Sequence, residues 1–189
     1  SYYQKFHRAV LLNNEKIILA FLFLIMIFLS APRVFASEIS EQNLMVLINQ
    51  ERSGRGLREL EIDNDLMRAS RLKAKDMLNR HYFEHFYRGM SPWDFMLGAG
   101  YDYQYGGENL AMDFKTSEGM IRAWMNSPTH RDNILNSNFN NAGIGIVKGV
   151  YISPDGVNRE TVMVSNMFGK RKPLIYRALD SVKKVLVFY

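Results

Sequence analysis

Between Leu135 and Ala142 the hydrophobic pattern of this chain changes period, and this change limits its fold more than any other feature. Upstream, apolar residues recur at helical spacing. "SEISEQNLMVLINQERSGRGL" reads as a helix, with Ser40 as cap, Leu44, Leu47 and Ile48 as the apolar stripe, and Gly54 and Gly56 as its end. "IDNDLMRASRLKAKDMLNRHYF" reads as a second helix started by Asp63 or Asn64. Leu66, Ala69, Leu72 and Met77 mark its buried side, and Lys73 is expected outside. "GMSPWDFMLGAGY" opens a short helix at Ser91-Pro92 and closes it at Gly98-Ala99-Gly100. "TSEGMIRAWMNSP" reads as a third long helix, capped by Thr116 or Ser117, with Glu118 near the positive end of its dipole.

Downstream, "NAGIGIVKGVYIS" and "ETVMVSNMFGK" are rich in Val and Ile and are separated by the turn "SPDGVN". They predict an antiparallel pair. "YQYGGENLAM" reads as a third strand or as a loop leading into one. Helices first and a hairpin last predict an α+β chain, with helices around a small antiparallel sheet.

One run stands apart. Ile17–Leu29, "IILAFLFLIMIFL", is 13 residues of unbroken apolar sequence. That suits the core of an export signal better than a full membrane span of about 20 residues. Lys5, Arg8 and Lys16 precede it, and Val34-Phe35-Ala36 offers a cleavage site before Ser37. Two readings of residues 1–36 stand: a signal peptide cut after Ala36, or an uncleaved anchor that touches the membrane as a hydrophobic helix. Either exports the remainder to the cell envelope or beyond it. Residues 170–189 form a basic tail that reads as truncated, since it ends inside an apolar run.

The net charge of +5 does not point to nucleic acid. Residues 37–169 carry 14 Lys and Arg against 17 Asp and Glu, a net of −3; the flanks hold the excess, +3 in residues 1–36 and +5 in residues 170–189. A basic excess beside a membrane-directed segment fits an anionic surface. No basic stripe interleaved with aromatics runs through the middle of the chain, as nucleic-acid binding would require. The absence of cysteine removes disulfides, thiol nucleophiles and thiolate metal sites. Any metal must use His and carboxylate.

Four histidines occur. His7 lies in the basic leader. "HYFEH" gives His81 and His85 the H-x-x-E-H spacing of a zinc-hydrolase class, with Glu84 as base. Arg88-Gly89 and the surrounding aromatics argue that the helix is ending there, which removes the geometry such a site needs. "GGENLA" sets Glu108 after two glycines that let the backbone approach another element; a cleft carboxylate and a solvated turn both fit. In "SPTHRDNIL", Pro128 forces Ser127 out of helical geometry. Ser127 then caps a new helix with His130 at its third position, where the positive helix end favours neutral imidazole. Capping, packing against Trp124 and chemistry all remain open for His130.

"HYFEHFYRGMSPWDFM", "YGGENLAM", "IRAWMNSPTHRDNILN" and "FNNAGIGIVKG" occur in this order. Together they resemble the CAP superfamily of cysteine-rich secretory, antigen 5 and pathogenesis-related proteins, and most of all its cysteine-free bacterial branch. The resemblance runs over residues 43–169 and makes 37–169 a domain of the SCP type. It implies an α–β–α sandwich with a central cleft lined by two histidines and up to two glutamates. On this chain it makes His85 the first histidine, Glu108 the glutamate and His130 the second histidine. A second glutamate of animal and plant members is replaced here by Ser127, and Glu84 departs from the small polar residue expected before the first histidine. His81 has no family role and is expected at a helix end. The resemblance allows a zinc ion on His85 and His130.

Two functions follow from the resemblance. One is a non-enzymatic exported module that binds a lipid, a cell-wall component or another extracellular ligand. The other is a hydrolase acting on peptide or wall substrates, with a metal or a His–Glu pair activating water. The missing carboxylate removes an acid/base partner and favours the binding module.

Overall fold

Ser40 is extended, and its hydroxyl accepts from the Asn43 N–H at 3.1 Å. This starts α1, Glu41–Ser53, whose Leu44, Met45 and Ile48 are buried. The computed structural model describes residues 38–176 and the single position Phe23. The chain divides into two units, Ser1–Phe35 and Ala36–Tyr189, and the architecture here is that of the second. The expected N-terminal hydrophobic helix, Phe23 aside, and the basic tail beyond Tyr176 lie outside the described residues.

A two-residue strand β1, Glu61–Ile62, precedes α2, Asn64–Asn79. Asp63 caps α2 by accepting from the N–H groups of Asp65 and Leu66. The buried side of α2 differs from expectation at two neighbouring positions. Leu72 is exposed, whereas Lys73 is completely buried. Lys73 follows Leu66 by seven residues and so continues the stripe of Leu66, Ala69 and Ser70, while Leu72 is rotated about 100° away from it. Periodicity prevails over side-chain polarity.

Next come α3, Pro92–Gly98, and β2, Tyr103–Met112. They are followed by α4, Ser117–Asn126, α5, Pro128–Ile134, and the hairpin β3, Asn141–Ile152, with β4, Asn158–Arg171. Ser91 and Asp94 form a capping box at α3, and the Thr116 hydroxyl accepts from Gly119 N–H to cap α4. The hairpin register runs from Asn141 opposite Gly169 to Ile152 opposite Asn158. β2 joins β4 antiparallel, so "YQYGGENLAM" is a strand.

The sheet order is β1-β3-β4-β2. β1 lies parallel to β3, so the sheet is mixed rather than purely antiparallel. Two residues are too few to show a strand period, which is why β1 had no signature in the sequence.

Helices cover both faces. On one, Ala142, Ile144, Val164 and Phe168 pack with Leu44 and Ile48 of α1, Met120 and Trp124 of α4, and Ile134 of α5. On the other, Met163, Met167 and Leu110 meet Leu66 and Met77 of α2 and Phe95 and Met96 of α3. The α2 layer sits directly on backbone. A Cβ at Gly143 would lie 2.1 Å from the Leu66 carbonyl carbon, and one at Gly145 2.2 Å from Arg71 N. Only glycine permits this approach. β2 is left as an edge strand, with the segment between α2 and α3 on one side and α5 on the other.

Candidate functional site at the edge of the sheet

Glu108 lies in the middle of β2 and is 5 % exposed. Each of its carboxylate oxygens has one partner. Oε1 accepts from the Ser165 hydroxyl at 3.0 Å, and Oε2 lies 2.7 Å from His85 Nδ1. An ionised carboxylate can only accept, so the network assigns the proton to His85 Nδ1 and leaves Nε2 with its lone pair. The His85 side chain is 44 % exposed against 2 % for that of Glu108. The pair is therefore a buried carboxylate holding an accessible imidazole.

The "GG" before Glu108 brings both walls onto the strand. A Cβ at Gly106 would come within 2.9 Å of the Trp93 ring, and one at Gly107 within 2.9 Å of Asn133 Oδ1 and of Phe139. A cleft of 320 Å³ results, lined by His85, Phe86, Pro92, Trp93, Glu108 and Asn133 together with the two glycines. Phe86 is exposed at its mouth.

His130 reaches this region from α5. Ser127 starts that helix with extended backbone, as expected, yet its side chain makes no cap bond. Its Oγ lies instead 2.9 Å from His130 Nδ1. Burial, and after it the neighbouring His85, hold the His130 imidazole below the ordinary histidine value. The neutral ring expected from the helix end is thus present for a different reason. His130 is not among the residues lining the 320 Å³ cleft. Its coupling runs through amides: Asn109 Nδ2 donates to the His130 carbonyl at 2.9 Å, and Asn133 Nδ2 donates to Asn109 Oδ1 at 2.9 Å and to the Glu108 carbonyl at 3.0 Å.

The structure therefore joins His85 to Glu108 directly, and links the His130 backbone to Glu108 through the amides of Asn109 and Asn133. It does not build the H-x-x-E-H site. α2 ends at Asn79, and His81 adopts φ 55° just beyond it. His81 Nδ1 accepts from the Ile152 N–H at 3.2 Å, on the hairpin. Glu84 is exposed. Sequence reasoning missed Asn109, Asn133 and Ser165 as members of the network and misplaced Lys73. Only Lys73 had a usable signal, its place in the α2 stripe.

A zinc ion would find one nitrogen on each histidine, because both Nδ1 atoms are engaged. Both oxygens of Glu108 are taken. Among the described residues no three His, Asp or Glu side chains converge on a point that could hold a metal ion. Two protein ligands are one fewer than a catalytic zinc uses and two fewer than a structural one. The residues present do not fit a resident zinc.

A larger groove of 690 Å³ lies elsewhere, between Phe114 and the outer half of the hairpin. Its rim carries charges of both signs, Lys115, Lys148 and Arg159 with Asp113 and Glu160, and none of the three candidate residues. The smaller cleft is the one that brings the buried carboxylate and the imidazole together.

A four-stranded mixed sheet between helical layers, with an edge-strand glutamate paired to a histidine from the segment beside it, defines a class. The chain belongs to the CAP family: residues 45–165 match the model of the cysteine-rich secretory protein family. Its relatives are bacterial and it has no cysteine, which sets it in the cysteine-free bacterial branch. It is 43 % identical over 109 residues to the protein YkwD of Bacillus subtilis, covering 57 % of this chain and 42 % of YkwD. It is 30 % identical over 113 residues to the membrane protein YlbC of the same organism, covering 59 % of this chain and 33 % of YlbC. The chain thus spans less than half the length of these relatives. Among solved structures, an extracellular protein containing an SCP domain from Bacillus anthracis superposes with a TM-score of 0.57 at 26 % identity, over 69 % of this chain and 40 % of that one. An outer surface protein of Borrelia burgdorferi superposes with a TM-score of 0.56 at 22 % identity, over 73 % of this chain and all of that one, a likeness of fold.

Proposed function

We propose that this chain is an exported binding module whose edge cleft takes an extracellular, lipid or cell-wall ligand, with His85 as the presented polar group. The observation that carries this reading is the full engagement of Glu108. A general acid or base needs a carboxylate oxygen within reach of the reacting proton. Here one oxygen serves Ser165 and the other His85. Glu108 therefore orients an imidazole, and the imidazole is left to accept from a ligand donor at Nε2. Phe86, Pro92 and Trp93 supply an apolar wall beside it, and Asn133 a polar one. Such a mixture suits a ligand with one apolar face and a few hydrogen-bonding groups. Export is supported by the extracellular protein from Bacillus anthracis and the outer surface protein from Borrelia burgdorferi that share the fold. Attachment through residues 1–36 accords with the membrane protein YlbC among the relatives. No helix among the described residues is long and apolar enough to cross a membrane.

The test is retention against turnover. The protein is purified from its exporting host, and its bound small molecules are identified by mass spectrometry in wild type and in His85→Ala. In parallel, wild type, His85→Ala and Glu108→Gln are assayed for release of fragments from peptidoglycan and from a mixed peptide library, and for zinc per chain. The expected result is a molecule retained by wild type and lost from His85→Ala, with no fragment release. Fragment release by wild type that both substitutions abolish, or one zinc per chain lost with His85→Ala, would overturn the binding-module reading in favour of a hydrolase.

A further inference from the structure

Among the described residues, Lys73 is the fully buried cation on the cleft side of the sheet, and no carboxylate forms an ion pair with it. Its ammonium has three protons, and three oxygens take them. Nζ donates to the Glu84 carbonyl at 2.8 Å, to the His85 carbonyl at 2.9 Å and to the Tyr82 hydroxyl at 3.3 Å. The Tyr82 hydroxyl can accept because it gives its own proton to Asp76 Oδ2 at 2.7 Å. Burial, then that bond to Asp76, push the Tyr82 phenol up, so it stays neutral in this role. The Tyr82 and Phe95 rings close over the ammonium, with centroids 4.8 and 5.5 Å from Nζ.

All three acceptors belong to one segment, residues 82–85, immediately after the left-handed residue His81. This segment lies outside α2 and outside the sheet, so no regular ladder holds its carbonyls. Turning the Glu84 and His85 carbonyls inward onto one fixed ammonium determines where the His85 side chain emerges, and it emerges at Glu108. The same ammonium acts on the far side of that bond. Burial lowers the Lys73 pKa, and of the anionic groups that oppose this, Glu108 ranks first, ahead of Asp76 and Glu84. Lys73 is thus a counter-charge for a carboxylate whose direct partners are the Ser165 hydroxyl and the His85 Nδ1–H.

We propose that Lys73 is the positioning residue of the cleft: its buried ammonium holds the His85 segment by its backbone and compensates Glu108, so that His85 stands with Nδ1 protonated toward the carboxylate and Nε2 open. The inference does not depend on what the cleft binds, since it describes the ligand-free chain. The Lys73 ammonium bonds to the His85 carbonyl rather than to its ring, so its effect is carried by the backbone and by charge.

The experiment is a histidine side-chain 15N spectrum of the ligand-free full chain at a pH where imidazole is neutral. Wild type is expected to show His85 as a single tautomer, with a pyrrole-type Nδ1 carrying a slowly exchanging proton and a pyridine-type Nε2. In Lys73→Met, the His85 signals are expected to move to the averaged shifts of exchanging tautomers, while those of His130 stay in place. Leu66→Ala, buried on the same helix face and away from the segment, is the control for lost stability and is expected to leave His85 unchanged. An unchanged His85 in Lys73→Met overturns the proposal. An equal change in Leu66→Ala also overturns it, by making the effect one of general loosening. Should Lys73→Met fail to fold, the wild-type chain decides: the ammonium protons of Lys73 must exchange slowly enough to be seen and must correlate with residues 82–85. A rapidly exchanging Lys73 ammonium overturns it.

Discussion

Glu108 and His130 are held in their states by different means. Glu108 is buried with both oxygens satisfied; His130 is half-buried and kept neutral by burial and by His85. Replacing Glu108 by Gln preserves shape but leaves one oxygen to serve both Ser165 and His85. One buried partner is then unsatisfied, at a cost of about 1–3 kcal/mol. Urea unfolding should show a midpoint lowered accordingly, with an unchanged slope. His130 gives stability a pH dependence. Its folded pKa lies below the unfolded value, so the unfolded chain binds the proton more readily. Its contribution is fully present above the unfolded value of about 6.5 and is lost as pH falls through the lower folded value. Wild type should therefore lose stability on acidification through this window more steeply than His130→Gln. A wild-type urea midpoint no more pH-sensitive than that of the variant would count against a depressed His130.

At the scale of elements, two substitutions of one kind separate close approach from backbone conformation. Gly143→Ala puts a methyl 2.1 Å from the α2 backbone, where no side chain can give way. Gly156→Ala meets nothing within 4 Å but forces alanine to φ +80° in the hairpin turn. The second should cost about 1 kcal/mol. The first should cost more than about 3 kcal/mol, by overpacking, or prevent folding. Thermal melts of the two variants check this. Arg52 makes a related point for α5. Fully buried, it donates to the Ile134 carbonyl at 2.7 Å, the Asn136 carbonyl at 2.9 Å and the Arg58 carbonyl at 2.9 Å. It thereby closes the C-terminal end of the helix that carries His130 and Asn133. Arg52→Met orphans these carbonyls and should cost about 3 kcal/mol, lowering the melting temperature by roughly 10 °C.

Arg52 also marks the limit of what the sequence could tell. The cap at Ser40 was legible, and those at Asp63 and Thr116 were legible to within one residue, because each side chain bonds to backbone two or three residues away. The hairpin was legible from its Val and Ile content and its turn. His85, Glu108 and His130 were legible as a set only through the family resemblance. The partners of Arg52 lie up to 87 residues away, and those of Glu108 at Ser165 57 residues away. No local spacing encodes such pairs. Ser127 shows the intermediate case: its backbone followed from Pro128, but its hydroxyl turned to His130, a choice between two local partners that backbone geometry does not decide. Lys73 was misplaced because polarity was weighed above the helical period that buries it.

For the whole molecule, the question is what closes a domain that has no disulfide. Apolar cores on both sheet faces do most of it, and at one end an ion cluster ties the last strand to the first long helix after β1. Arg171 in β4 holds Asp63 at 2.9 Å and Asp65 at 2.6 Å, lies over the Tyr101 ring with its centroid 4.3 Å away, and is 28 % exposed. Lys170 and Arg171, the first residues of the basic tail, are therefore residues of the sheet. A hydrogen bond from Arg171, followed by one from Arg68, holds the Asp65 carboxyl below the usual range against the opposing effect of burial. The folded pKa is depressed, so this contribution is present above the unfolded value of about 3.9 and is lost as pH falls through the folded one. Arg171→Ala removes the shared partner of two partly buried carboxylates and should cost about 2 kcal/mol at neutral pH, discounted for solvent from the value for a fully buried pair. The variant should also lose less on further acidification than wild type, because it no longer has that contribution to lose. Wild type and Arg171→Ala unfolded in urea at pH 7 and at pH 3 measure both differences. If the gap between them is as wide at pH 3 as at pH 7, the cluster is not what joins β4 to α2, and the Arg171–Tyr101 stack carries the join.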